Sequence, residues 1–283
     1  MTEAFKTPDR KGTAAGVPYI AFAPANPQPG TPLIVLLHLM DPPRSEHAMA
    51  AAIPLDGIDA WKVYFGLPMS GERAPEGGFD EIMRLAFEDG LMNLLAPVVE
   101  QAAAELPGAV TAVREQLSLA ASPLILVGGS AGGAAVLLTL MQSDIEVVAA
   151  VLLNAAIQAR PVVESFEEFT GTTYQWTDAS RAKADSLDLV RRLPDLIARR
   201  RTPVLSVNGA DDDIKGLPAA AKGLTESLSA AYGDPDLASF VLIEGLGHAL
   251  AEEPGVEPAP QTEGAKQVDA EVAKWLKRWL PAS

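Results

Sequence analysis

One stretch of the chain carries residues whose spacing suits nucleophilic chemistry: Leu126-Val-Gly-Gly-Ser130-Ala-Gly-Gly-Ala134. Gly128, Ser130 and Gly132 form G-x-S-x-G, a turn so sharp that only residues lacking a Cβ fit beside the serine, whose hydroxyl is left exposed. A hydroxyl attacks poorly until a base takes its proton, and an imidazole serves best when a carboxylate fixes its tautomer. Further along, Asp211-Asp212-Asp213 and His248 supply both types. Together the three types would suit acyl transfer; the bland alternatives are a helix-capping serine in a glycine turn and a structural histidine. A phosphate-cradling loop is disfavoured, because the stretch lacks the Lys-Ser/Thr pair and the G-x-G-x-x-G spacing.

Elements must bring these groups together. Leu124–Val127 reads as a strand buried on both faces, and Ala134–Met141 as a helix packed on the same sheet. Comparable apolar runs predict strands over Val17–Ala23, Leu33–His38, Trp61–Gly66, Val147–Leu153, Pro203–Gly209 and Ser239–Ile243. Pro24, Pro27, Pro29, Gly30 and Pro32 predict a turn before the second of these. Ser45 is placed to cap a short helix through Ala52. Helical spacing follows over Asp80–Leu95, Pro97–Leu106 and Val110–Leu119, then over Ser180–Arg192 and Gly216–Tyr232. A closing helix over Ala265–Leu280 would put Val268, Val272, Trp275, Leu276 and Trp279 on one face. Ser130, the Asp211–Asp213 run and His248 all fall at carboxyl ends of predicted strands, where open α/β sheets place their ligands.

Between 155 and 200 the alternation lapses, which predicts an insertion or small cap. Its aromatics Phe166, Phe169 and Trp176, with Leu39, are candidates to line an apolar substrate pocket; equally, the aromatics would anchor the insertion to the body. With neither repeat nor linker, residues 1–283 read as one domain containing that cap.

Composition narrows the partners. Against 22 Lys and Arg stand 37 Asp and Glu, a formal charge of -15, which would repel phosphate backbones and anionic membranes. The chain has no cysteine, so it forms no disulfide, thiolate metal site or thiol nucleophile, which suits the cytoplasm. The first residues lack a signal-peptide core, and no apolar run is long enough to span a bilayer.

In its ordered features the sequence resembles the α/β-hydrolase superfamily: the strand-ending His38, the elbow at Ser130, Gly209-Ala-Asp-Asp212-Asp-Ile214, and Gly245-Leu-Gly-His248, in the order Ser, Asp, His. The resemblance implies a mostly parallel sheet of about eight strands with helices on both faces. It also implies a triad of Ser130, Asp212 and His248. Within the run the family spacing selects Asp212, with Asp211 and Asp213 as alternatives. Backbone N–H groups of Ala131 and Met40 would hold an oxyanion, although Leu39 stands where the family usually has glycine, and Leu39 N–H is an alternative donor. The expected activity is hydrolysis of a carboxylic ester of a small or medium apolar substrate, with no metal or organic cofactor. The esterase, dienelactone-hydrolase-like and prolyl-oligopeptidase-like branches leave lactone, amide or short-peptide cleavage open, as does a non-catalytic binding protein on the same fold. Ser130 at the elbow disfavours dehalogenase and epoxide-hydrolase chemistry, which place an aspartate there. Oligomeric state is not legible.

Overall fold

A computed structural model describes residues 5–28, 30–119 and 122–280. Met1–Ala4, the start of the segment read for a signal peptide, and Pro29 of the predicted turn lie outside them. The strands and helices run β1 (Arg10–Ala14), β2 (Val17–Phe22), β3 (Leu33–Leu37), α1 (Glu46–Ala52), β4 (Trp61–Phe65), α2 (Gly78–Asp89), α3 (Ala96–Gln116), β5 (Leu124–Gly129) and α4 (Ser130–Gln142). They continue as β6 (Ala149–Leu153), α5 (Ala159–Thr170), α6 (Asp178–Ser186), α7 (Leu193–Arg199), β7 (Val204–Gly209), α8 (Leu217–Tyr232), β8 (Ala238–Ile243) and α9 (Glu263–Leu276). A π-helical turn, Gly90–Leu95, joins α2 to α3.

The strands form one 8-stranded sheet in the order β1-β2-β4-β3-β5-β6-β7-β8. From β4 to β8 all neighbours are parallel, while β2 pairs antiparallel with both β4 and β1. Consequently β3, β5, β7 and β8, which precede the candidate site residues, all deliver their carboxyl ends to one edge. Two apolar layers flank the sheet. One contains α3, α4 and α8 residues such as Val99, Leu137 and Leu224; the other contains Met49 of α1 and Val268 and Trp275 of α9.

Strand β1 escaped the sequence reading because Arg10-Lys-Gly-Thr-Ala14 is a polar edge strand, exposed at its first residues, and carries no apolar run. The two helices predicted over 97–119 are one helix despite Pro107. Proline has no N–H to offer the carbonyl four residues earlier. The Thr139 hydroxyl, whose shorter bond is to Ala135 O, comes within 3.3 Å of that carbonyl on Ala103. Ser45 caps α1 as predicted, accepting from Ala48 N at 3.0 Å.

The 155–200 segment does not stand alone. Phe166 of α5 meets Phe87 of α2 edge-on at 5.5 Å, Tyr174 donates to Asp89 Oδ1 at 2.6 Å, and Lys183 of α6 pairs with Glu100 of α3. Residues 80–95, read from sequence as part of a crossover, are thus packed against the 155–200 segment.

Candidate active site

Gly128, next to last in β5, lies so close to the first turn of α4 that a Cβ there would run into the backbone of Gly132, and a Cβ on Gly132 would strike the carbonyl of His38. This packing forces Ser130 to φ 46°, a left-handed conformation that a non-glycine residue adopts at a cost of roughly 1–3 kcal/mol. The serine opens α4, so the next N–H, on Ala131, belongs to the first turn and has no intrahelical acceptor.

Ser130 Oγ lies 2.9 Å from His248 Nε2, and His248 Nδ1 lies 3.0 and 3.1 Å from the two Asp212 oxygens. The structure therefore brings Ser130, His248 and Asp212 into one hydrogen-bonded line. Of the three neighbouring aspartates only Asp212 bonds the imidazole. Its carboxylate is shielded from solvent and also accepts from Ile214 N at 2.9 Å, whereas Asp211 and Asp213 are exposed. Burial pulls the His248 pKa down, but the hydrogen bond its Nδ1–H donates to Asp212 and the negative charges of Asp41, Asp212 and Asp213 outweigh it, and the net shift is upward. Ligand atoms of Asp212, Asp213 and His248 lie within 4.8 Å of one another, a spacing open to a metal ion. The Asp212 contacts already account for the orientation of Nδ1.

His38 is wholly buried, donates from Nδ1 to Leu39 O at 2.6 Å and accepts at Nε2 from Leu67 N at 3.0 Å. Burial holds its pKa down at about 4, so it is a neutral strut under the following loop. Leu39 N–H donates to Pro43 O at 3.2 Å, which removes it as an alternative oxyanion donor. Met40 N–H makes no hydrogen bond among the described residues. Arg44 fixes this loop: its Nε donates to Met40 O at 3.1 Å, while its guanidinium grips Glu253 and Pro254 O and its own N–H reaches Gly255 O.

The pocket candidates fare differently. Leu39 is fully buried, its Cδ1 pressed against Gly129, so it belongs to the core beneath the elbow. Phe169 is 79% exposed. Phe166 and Trp176 are half-buried, the first against Phe87, the second packed edge-on to Tyr174 at 4.8 Å with Arg160 over its ring. Phe166 thus ties the 155–200 segment to α2, while Trp176 packs within that segment. A cleft of about 800 Å³ lined by Phe22, His47, Lys62 and Tyr64 contains none of the triad residues.

Two residues of the site went unremarked in the sequence. Asn154, just past β6, has φ 43° and is buried; its amide donates to Gly247 O and His248 O, both at 2.9 Å, and its Oδ1 accepts from Gly209 N at 2.7 Å. A polar residue directly after a buried strand at the same sheet edge was the available signal. Asp41, inside the loop after His38, sets its Oδ2 3.6 Å from His248 Nε2.

No family model and no curated protein matches the sequence. Solved structures do. TT1662 from Thermus thermophilus superposes with a TM-score of 0.62 at 20% identity, over 97% of this chain and 98% of that one. A puromycin-hydrolyzing peptidase of Mycobacterium tuberculosis gives 0.60 at 17% identity over 95% of this chain but 39% of its own. The thermophilic esterase Est2 of Thermogutta terrifontis gives 0.57 at 16% identity over 94% and 92%. The chain has the α/β-hydrolase fold. Within that α/β-hydrolase fold, Ser130, Asp212 and His248 follow β5, β7 and β8. Among the described residues no helix is long and apolar enough to cross a membrane.

Proposed function

We propose that the protein is a serine hydrolase that cleaves a carboxylic ester of a small or medium-sized molecule through an acyl-enzyme. The observation that carries this reading is the unbroken line from Ser130 Oγ through His248 to Asp212, at 2.9 Å and 3.0 Å. Ser130 Oγ attacks the ester carbonyl as its proton passes to His248 Nε2. Asp212, acting on Nδ1–H, steadies the imidazolium that forms. Charge developing on the carbonyl oxygen falls to the N–H groups of Ala131 and Met40, which stay unbonded until then. The imidazolium protonates the departing alcohol; a water, deprotonated by the same imidazole, then releases the acid. These steps need only groups of the chain and water.

The esterase among the structural neighbours supports the ester bond. The peptidase supports a second reading, in which the same triad opens an amide, although this chain spans well under half of that protein. Acidic charge argues against nucleic acid as a partner, and a chain without cysteine suits the cytoplasm. The test is hydrolysis of short p-nitrophenyl esters together with labelling by a fluorophosphonate. Wild type should do both and Ser130→Ala neither; a Ser130→Ala protein that hydrolyses at the wild-type rate overturns the proposal.

A further inference from the structure

From the position of Asp41 we infer that the enzyme selects substrates carrying a positive charge, an ammonium group, within a few bonds of the scissile carbonyl. This deepens the hydrolase reading above and rests on it. The Asp41 carboxylate sits 3.6 Å from His248 Nε2, the nitrogen that faces Ser130 Oγ, and its side chain is 50% exposed. It is therefore at the mouth of the site, beside the bond to be broken.

Its surroundings leave its charge available. Among the described residues no lysine or arginine comes within 4.0 Å of it, and its sole ion-pair partner is His248. The nearest arginine in sequence, Arg44, is committed elsewhere, to Glu253, Pro254 O and Met40 O. The other charges facing His248 are Asp212 and the exposed Asp213, both negative. A carboxylate held beside the nucleophile favours the imidazolium, but it also repels an anionic substrate and attracts a cationic one. The loop that carries it is not free to swing it away: Leu250 N donates to Pro42 O at 2.8 Å and Arg44 N to Gly255 O at 2.6 Å. Of the apolar pocket candidates, Leu39 lies in the core and Phe169 in solvent.

The test uses pairs of esters equal in shape and differing only in a quaternary nitrogen in place of a carbon. Choline butyrate against neohexyl butyrate puts the charge on the alcohol side; methyl trimethylglycinate against methyl tert-butylacetate puts it on the acyl side. In at least one pair the wild type should favour the charged member in kcat/KM, and Asp41→Asn should cut that preference about five- to tenfold. The pair that responds identifies the side. Should Asp41→Asn fail to fold, the wild-type preference should still shrink in about 1 M salt, where surface charges are screened. Hydrolysis with no charge preference in either pair, or a preference unmoved by both the substitution and salt, overturns this inference alone. Failure to hydrolyse any of the four esters together with unlabelled Ser130 overturns the hydrolase reading, and this one with it.

Discussion

The amide of Asn154 donates to the backbone carbonyl of His248 at 2.9 Å, across the gap between the end of β6 and the loop after β8. The same side chain accepts from Gly209 N at the end of β7, where a Cβ on Gly209 would collide with Leu246 O. Three strand ends are thereby joined by one buried residue. Asn154→Ala removes the donor from one buried and one part-buried carbonyl and the acceptor from a buried N–H. It is expected to lower stability by about 2 kcal/mol and kcat more than KM, checked by chemical denaturation and steady-state kinetics.

Asp212 and its neighbours should separate cleanly. Asp212→Asn preserves shape but forfeits the charge that favours the imidazolium, and kcat should fall about 10⁴-fold. Asp211→Asn and Asp213→Asn, at exposed positions, should stay within about twofold at a pH where His248 is neutral. Equal losses in all three would mean that the Asp212 contact is incidental.

The acid limb of kcat/KM should report His248. As a base it must be neutral, and its pKa is raised above 6.5, so activity should rise with pH through a midpoint above 6.5. Asp41→Asn takes away one of the charges that favour the imidazolium, so the limb should move to lower pH; a shift the other way would contradict the electrostatic picture.

His38 makes the opposite prediction for stability. Its pKa is depressed from 6.5 to about 4 in the folded chain, so protons bind the unfolded state more readily and stability drains away as pH falls from 6.5 towards 4. The loss is on the order of 3 kcal/mol. The raised His248 pKa does not offset it, because that contribution is already fully present below 6.5. A His38→Gln variant, judged by melting temperature against pH, should show a flatter slope across this window than the wild type.

Much of this arrangement was legible in the letters. Apolar runs mark the central strands, since a strand covered on both faces has nothing polar to show. Glycine spacing at 128 and 132 marks the elbow, because no other residue survives the backbone contact there. What stayed hidden depended on partners distant in the chain. Strand β1 is a polar edge defined by pairing with β2. The single helix over 96–116 tolerates Pro107 beside Thr139 of another helix. Leu39 and Phe169 look alike as apolar letters, and only the placement of the elbow and the cap sends one inward and the other out. The fold was thus encoded locally and the substrate side was not.

Arg44 lashes two loops to each other, one bearing Met40 and the other running on from His248 to Glu253 and Gly255. The acid side chain at the far end of that lashing is 71% exposed. With the Met40 peptide in its proposed role at the oxyanion, turnover has a handle on the outer surface: a change at Glu253 that never touches substrate would slacken the grip on that peptide, slowing the chemistry while leaving substrate capture as it was.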